Sequence, residues 1–220
     1  MADCVAAKKT HKSDMETVYD RFAQSYDAGR DAFNMDAVLE DFFSVLGSGS
    51  GALLDLGCGA GVPFDDAFVQ RGWSVTGVDF SEPMLELARR NVPQMETLRL
   101  DMRSADFGAG SFQAAIAAYS LFHIPAEDQF TLLERIFGWL HPGGKLLFTY
   151  ATREYTGSDS FDGYKEFMGQ RLFYSHRTPQ ELFARLDEIG FELLAEDYRE
   201  IGGETFLWVT AGKPASVGAQ

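Results

Sequence analysis

Short apolar runs alternate with amphipathic stretches through the middle of the chain, and this alternation predicts the fold. The runs with the length and composition of buried strands are 52–56, 74–78, 97–100, 112–118 and 145–150. Helical periodicity separates them, continuing through Gln70, to about Asn91 and over Glu127–Leu140. Strands in strict alternation with helices pair in parallel and are covered on both faces. We therefore predict an α/β, Rossmann-like, doubly wound fold.

The two ends of the chain follow other patterns. Apolar residues recur at helical spacing from Asp14 and again over Met35–Leu46, before a Gly/Ser run ends the second helix. The segment 151–178 is polar and aromatic without a clear period. A helix is predicted over Pro179–Ile189, with Thr178 as its N-cap and Gly190 as its stop.

The runs 191–198 and 205–211 predict an antiparallel C-terminal hairpin, which makes the expected sheet seven-stranded. The expectation is a single domain over 14–213 with tails at 1–13 and 214–220. Its parts are N-terminal helices that form a lid (14–46), a binding core (52–150), a capping insert (151–178), and the final helix with its hairpin (179–213).

Charge and cysteine usage narrow the classes of partner. The 220 residues carry 33 acidic and 19 basic side chains, a formal charge of −14, and no basic cluster is visible. An acidic surface repels phosphate backbones, so nucleic acid is not an expected partner. The longest apolar run, 114–122, is far below the roughly 18 residues of a membrane span. The chain has only two cysteines, Cys4 and Cys58, so we expect a reduced, cytoplasmic protein without a metal site. We also expect a monomer or a homodimer.

A glycine loop follows the first predicted strand, in the sequence Leu53-Leu54-Asp55-Leu56-Gly57-Cys58-Gly59-Ala60-Gly61. A P-loop requires Gly-Lys-Ser/Thr at its end, which is absent here, and a dinucleotide fingerprint requires glycine where Val62 stands. Asp55 would oppose a pyrophosphate but would suit an ammonium group. The loop therefore favours a ligand of another kind at the carboxyl edge of the sheet.

This loop resembles the cofactor loop of the class I S-adenosylmethionine-dependent methyltransferases, which has the pattern Asp-x-Gly-x-Gly-x-Gly. Further segments in the same order are similar to that family: 19–27, 75–85, 100–102, 119–125 and 140–146. Together they cover most of 15–150. One departure occurs at the start of the fourth strand, where Gln113 stands in place of the usual acid.

The resemblance implies S-adenosylmethionine as cofactor and S-adenosylhomocysteine as product. It implies that Asp79 binds the ribose hydroxyls, that Asp101 contacts the adenine amino group, and that Met102 packs on the ring. The full set of implied cofactor-binding residues is Tyr26, Asp55, Gly57, Cys58, Gly59, Gly61, Asp79, Phe80, Met84, Asp101, Met102 and Tyr119.

Two histidines are candidate catalytic residues, as general bases or substrate hydrogen-bonding groups. His123 follows the fourth strand, beside the expected position of the methyl group, and His176 lies in the capping insert. The candidate substrate-binding residues are Tyr19, Phe122, Arg153, Phe173 and Tyr174.

The acceptor class follows mainly by elimination. The Asn/Asp-Pro-Pro-Tyr/Phe signature of many nucleic-acid base methyltransferases is absent after the fourth strand. We expect methyl transfer to a small molecule by in-line displacement, with O, N, S and C acceptors all open. Aromatic side chains and the cations Arg153, Lys165, Arg171 and Arg177 of the insert suggest an aromatic or carboxylate-bearing metabolite. The alternatives are a protein or RNA methyltransferase on this fold, a nucleotide-binding oxidoreductase, and a non-catalytic binding module.

Overall fold

The computed structural model describes residues 15–21, 23, 33–167 and 169–215. Its strands are β1 (Ala52–Leu56), β2 (Ser74–Asp79), β3 (Glu96–Arg99), β4 (Phe112–Ala117), β5 (Leu140–Tyr150), β6 (Phe161–Phe167), β7 (Gln170–His176), β8 (Glu192–Ile201) and β9 (Glu204–Gly212). Its helices are α1 (helical at 15–21 and 23), α2 (Asp36–Leu46), α3 (Phe64–Gln70), α4 (Glu82–Asn91), α5 (Ala126–Trp139), α6 (Arg153–Thr156) and α7 (Pro179–Ile189).

The main sheet confirms the predicted doubly wound fold. Its order is β3-β2-β1-β4-β5-β9-β8, with β9 antiparallel to both of its neighbours and the other pairs parallel. Consecutive side chains of a strand point to opposite faces, so Leu53 and Leu54 of β1 enter different cores. Leu53 packs with α2 and α3 through Phe42 and Phe68, whereas Leu54 packs with α5 and α7. Helices therefore cover both faces.

Local sequence signals place several helix ends. Ser81 accepts a hydrogen bond from the Met84 N–H at 3.4 Å and begins α4. Thr178 and Glu181 form a reciprocal capping box at the start of α7. Gly190, at φ +104°, ends that helix in a left-handed conformation.

Two stretches differ from the sequence prediction. The segment 151–178, expected to lack regular structure, forms α6 and an antiparallel hairpin of β6 and β7. Residues 172–176 of β7 are all buried, so tertiary burial rather than strict apolar alternation stabilises this strand. Leu140, predicted as helical, begins β5. Residues 141–144, which precede the strand predicted at 145–150, also belong to β5 and lie beside β4 across a register shift.

The hairpin and α1 cover the carboxyl ends of β1 and β4. The Phe173 N–H of β7 donates to the Met15 sulfur of α1 at 3.4 Å. Phe122, in the turn after β4, stacks on Phe206 of β9 and on Tyr174 of β7, with ring centroids 4.8 and 5.4 Å apart. These contacts make one aromatic cluster out of elements that are distant in sequence.

Candidate active site

A cavity of about 460 Å³ lies at the carboxyl ends of β1, β2 and β4, below α1 and the β6–β7 hairpin. Among the predicted site residues it is lined by Tyr19, Asp55, Gly57, Cys58, Gly59, Gly61, Asp79, Phe80, Met84, Asp101, Met102, Tyr119, Phe122, His123 and Tyr174. Tyr26 lies outside the described residues. The predicted edge of the sheet is thus the place where the structure brings most of these side chains together.

The glycine loop is held on β2 and leaves bare backbone toward the cavity. The N–H groups of Gly57 and Cys58 donate to the Val78 carbonyl at 2.7 and 3.1 Å. Gly57 has φ +87°, and a Cβ built there would lie 2.4 Å from the Ser120 Cβ. Gly59 has φ +52°, but a Cβ there would meet nothing within 4 Å. Gly57 is therefore required for packing, and Gly59 faces open space.

Asp79 ends β2 as a buried carboxylate held by backbone N–H groups. Its oxygens accept hydrogen bonds from Gly59 at 3.0 Å and from Ser81 at 2.8 Å. Burial raises the pKa of Asp79 to about 6, although these hydrogen bonds stabilise the anion and oppose the rise. The carboxylate is consequently fixed in orientation at the cavity wall.

Asp55, at the floor of the cavity, lies against a second buried carboxyl group, that of Asp65 in α3. The two side chains are within hydrogen-bonding reach of each other. Burial raises the pKa of Asp55 to about 7 and raises that of Asp65 well above its ordinary value. Sequence reasoning missed Asp65. The available signal is its place beside Phe64 and three residues before Phe68, on the buried side of a short amphipathic helix.

Asp101 is the partner of an arginine that also lines the cavity. Arg103 Nη2 lies 2.7 Å from Asp101 Oδ2, and Nη1 lies 3.4 Å from Asp128 Oδ2. Hydrogen bonding to Asp101 raises the pKa of Arg103 further, so its charge is constant and is matched by two carboxylates. The ion pair with Arg103 fixes the orientation of the Asp101 side chain at the cavity wall, where Met102 also lies.

His123 is the histidine that the structure places in the cavity. Its Nδ1 lies 2.7 Å from the Phe173 carbonyl oxygen. Since a carbonyl only accepts, Nδ1 carries the proton and Nε2 of the neutral ring has a free lone pair for a ligand. Burial lowers the pKa of His123 to about 4, which keeps the ring neutral at pH 7. Tyr19 and Tyr174 flank it, with ring centroids 5.9 and 4.8 Å away.

His176 does not line this cavity, which corrects its prediction as a base at the site. Its Nε2 lies 2.7 Å from the Thr156 hydroxyl oxygen, its Nδ1 lies 3.0 Å from the Arg177 carbonyl oxygen, and its ring stacks on Phe161. It stands at the end of β7, two residues beyond Tyr174, and links the hairpin to α6. Its position in the insert predicted proximity, but the direction of the strand carries it away.

The cations considered for substrate binding also point elsewhere. Arg153 is exposed and pairs with Asp159 at 3.1 Å, so its predicted substrate contact is corrected. Lys165 donates to the Tyr155 carbonyl. Arg171 lies over the Tyr164 ring, and Arg177 pairs with Asp162 at 2.7 Å; none of these four lines the cavity. Phe173 contributes its carbonyl to His123 rather than its side chain to the cavity wall.

Aromatic side chains form much of the remaining wall. Tyr119, two residues beyond the end of β4, has φ +52°, a strained conformation for a non-glycine residue of the kind that concentrates at functional sites. Its N–H donates to the Thr149 hydroxyl at 2.6 Å. Its ring meets Phe33 and Phe206 edge-on at 6.3 and 5.5 Å. Neither Phe33 nor Phe206 was predicted, because each reaches the cavity only through the tertiary fold.

Comparison with known proteins agrees with this geometry. Residues 53–144 match the sequence model of a family described as "Methyltransferase domain". The chain is 36% identical over 103 residues to the demethylmenaquinone methyltransferase of Lactococcus lactis, covering 44% of this chain and 40% of that protein. It is 30% identical over 108 residues to the ubiquinone biosynthesis O-methyltransferase of Coxiella burnetii, covering 47% and 44%. The chain thus spans less than half the length of these relatives.

A solved structure extends the likeness in fold to nearly the whole chain. The 1,6-didemethyltoxoflavin-N1-methyltransferase of Burkholderia thailandensis, with bound 1,6-didemethyltoxoflavin and S-adenosylhomocysteine, superposes with a TM-score of 0.72. The superposition covers 94% of this chain and 90% of that one at 23% identity. Within the described residues, no helix has the length and apolarity needed to cross a membrane. The same residues contain no group of three or more His, Cys, Asp or Glu side chains placed to bind a metal.

Proposed function

Because this chain belongs to the class I S-adenosylmethionine-dependent methyltransferase family, we propose that it transfers a methyl group from S-adenosylmethionine to a small aromatic metabolite. The observation that carries the proposal is the single cavity that joins the glycine loop, the Asp79 carboxylate and the neutral His123 imidazole. The matched region and the fold of the solved relatives support it.

The cavity residues fit the cofactor. The open space beside Gly59 leaves backbone accessible to a ligand, as required for close approach. Asp79 would accept hydrogen bonds from the ribose hydroxyls, and Asp55 would pair with the amino group of the methionine part. Met84 and Met102 present apolar atoms for the adenine ring. When bound, S-adenosylmethionine supplies a methyl group already activated by its sulfonium.

The protein's own task is then alignment and proton handling. Orientation of an acceptor in line with the methyl group can supply roughly 7–11 kcal/mol of the barrier. The free Nε2 of His123 would accept the hydrogen bond or the proton of an acceptor O–H or N–H, a contribution of about 10²–10⁴-fold. The hydrogen bond from Nδ1 to Phe173 orients the ring for this task.

The walls favour an acceptor that is an uncharged or cationic aromatic. Phe33, Phe122, Tyr174 and Phe206 offer flat apolar surface. The half-buried Glu204 adds a carboxylate, and burial raises its pKa. A carboxylate-bearing acceptor, which the sequence left open, is therefore disfavoured. The quinone-pathway and toxoflavin names of the relatives are consistent with a ring-bearing substrate.

Calorimetry followed by a labelled-methyl screen tests the proposal. We expect binding of S-adenosylmethionine and S-adenosylhomocysteine, and no binding of NAD. The screen should compare hydroxylated and N–H heteroaromatic rings with the same rings bearing a carboxylate, and should include protein and RNA acceptors. Preference for NAD, or methylation of the macromolecules alone, would contradict the proposal.

A pair of histidine variants tests the role of His123. His123→Ala should lower turnover at saturating cofactor by about 10²-fold or more, because the substrate that receives the methyl group then has no side chain to take its proton. His141→Ala is the matched control, since His141 is exposed and lies outside the cavity. Equal turnover in the two variants would remove His123 from the reaction.

A further inference from the structure

The Asp65 carboxyl group is buried without an evident structural partner. Its side chain has 0% exposure, and neither oxygen accepts a hydrogen bond from an N–H or O–H donor in the described part of the chain. Buried polar groups are normally satisfied, so an acid in this position needs an explanation. The neighbouring group in reach is the carboxyl of Asp55, which lines the floor of the cavity.

Two carboxyl groups in contact inside the protein cannot both be ionised, because like charges in a poorly screened site repel. The other titratable groups that face the pair strengthen this argument. Asp79, on β2, is a third acid, and the Cys58 thiol stays neutral because burial raises its pKa well above the ordinary value. The pair therefore holds a proton at pH 7.

The surroundings of the two acids decide where this proton resides. Asp65 is fully buried in α3 beneath the glycine loop, whereas Asp55 has a face on the cavity. Burial raises the pKa of Asp65 well above its ordinary value, and that of Asp55 to about 7. The complete burial of Asp65 and the exposure of Asp55 to the cavity therefore favour Asp65 as the protonated member of the pair and Asp55 as the acid that ionises.

We propose that Asp65 is a positioning residue, whose carboxylic acid donates a hydrogen bond to Asp55 and thereby keeps Asp55 anionic toward the amino group of the methyl donor. The proton remains on Asp65 throughout. This inference rests on the proposed function, since it assigns Asp55 to the cationic end of the cofactor. A donor of this type stabilises the anion in the way that a backbone N–H does at Asp79.

Two substitutions of Asp65 by residues of similar size test whether its hydrogen-bond donor or its charge affects Asp55. Asp65→Asn keeps an N–H donor toward Asp55, and Asp65→Leu removes it. The probes are S-adenosylhomocysteine, which has the amino group, and 5′-methylthioadenosine, which lacks the amino-acid part. Binding of both is measured by calorimetry on the whole chain, from about pH 6 to about pH 8.5, so that no reading depends on activity.

We expect Asp65→Asn to bind S-adenosylhomocysteine within about threefold of the wild type. Asp65→Leu should bind it about tenfold more weakly or worse near pH 7, since a hydrogen bond to a charged group is lost. The loss should shrink as the pH rises, because Asp55 then ionises without help. Affinity for 5′-methylthioadenosine should be the same in all three proteins.

Other outcomes are equally decisive. Unchanged binding of S-adenosylhomocysteine by Asp65→Leu, or equal loss of both ligands, would overturn the role of Asp65 and leave the proposed function standing. If Asp65→Leu does not fold, a loss of affinity in Asp65→Asn that matches Asp55→Asn would overturn it, because the charge of Asp65 would then be what matters. Failure of the wild type to bind S-adenosylhomocysteine would overturn the proposed function itself.

Discussion

The first two glycines of the glycine loop, Gly57 and Gly59, should respond differently to substitution by alanine. In Gly57→Ala the new methyl group would stand 2.4 Å from the Ser120 Cβ, far inside van der Waals contact. Ser120 cannot easily move, because its hydroxyl donates to the Leu56 carbonyl at 2.6 Å and its side chain is buried. In Gly59→Ala the methyl group would enter open space with no atom within 4 Å, while the backbone N–H of the residue still donates to the Asp79 carboxylate.

The expected losses of stability follow from these contacts. Both positions have positive φ, +87° at Gly57 and +52° at Gly59, and alanine there costs roughly 1–2 kcal/mol. The clash at Gly57 adds about 1–3 kcal/mol of overpacking. We therefore expect Gly57→Ala to lower the free energy of unfolding by about 2–5 kcal/mol, and Gly59→Ala by only about 1–2 kcal/mol.

Urea unfolding and calorimetry with S-adenosylhomocysteine measure the two effects. Gly59→Ala should lose most of its affinity while remaining folded, because its methyl group occupies the space proposed for the cofactor. Ser120→Gly removes the atom that clashes, so in a double-mutant cycle it should recover part of the Gly57→Ala loss. Equal unfolding free energies for the two alanine variants, or full affinity in Gly59→Ala, would refute the reasoning.

Three further predictions concern single groups. Asp79→Asn should weaken S-adenosylhomocysteine binding, measured by calorimetry. Burial raises the pKa of Asp79 to about 6, so ionisation of Asp79 destabilises the native state. Relative to this variant, the wild type should therefore lose free energy of unfolding as the pH rises from about 4 to about 6 in urea titrations. His123 is neutral down to about pH 5 because burial lowers its pKa to about 4, so it should give turnover at saturating cofactor no acid limb near 6.5. Asp55 and Asp79 have pKa values of about 7 and about 6, so a limb near 6.5 that persists in both Asp55→Asn and Asp79→Asn would contradict the burial of His123. Thr178→Ala should lower the free energy of unfolding by about 1 kcal/mol through loss of the capping box, and an unchanged urea midpoint would refute it.

Much of the site could be predicted because its determinants are local. Asp79 is the last residue of β2, and parallel strands bring their carboxyl ends to one edge of the sheet. Ser81 and Thr178 begin helices through hydrogen bonds that reach three residues along the chain. Spacing alone carries such information, so the glycine loop, β2 and the helix starts were correctly predicted.

The capping region was harder because its strands are stabilised by distant partners. Tyr155 of α6 donates a hydrogen bond to the Tyr174 hydroxyl of β7 at 3.0 Å and lies against Phe206 of β9. No periodicity within 151–178 records these contacts. The prediction that His176 lies at the site was wrong for the same reason, since its distance from the cavity depends on where the β6–β7 hairpin lies on the sheet.

By itself, the sequence determined the α/β class, the order of strands and helices outside 151–178, the glycine loop and the acids at the strand ends. The tertiary structure alone decided which side chains meet. It placed His123 in the cavity with Nδ1 held by Phe173, moved Arg153 and His176 away, and set Asp65 against Asp55. The physical reason is that backbone pattern is a local property, whereas the protonation and reach of a side chain depend on burial and on neighbours far along the chain.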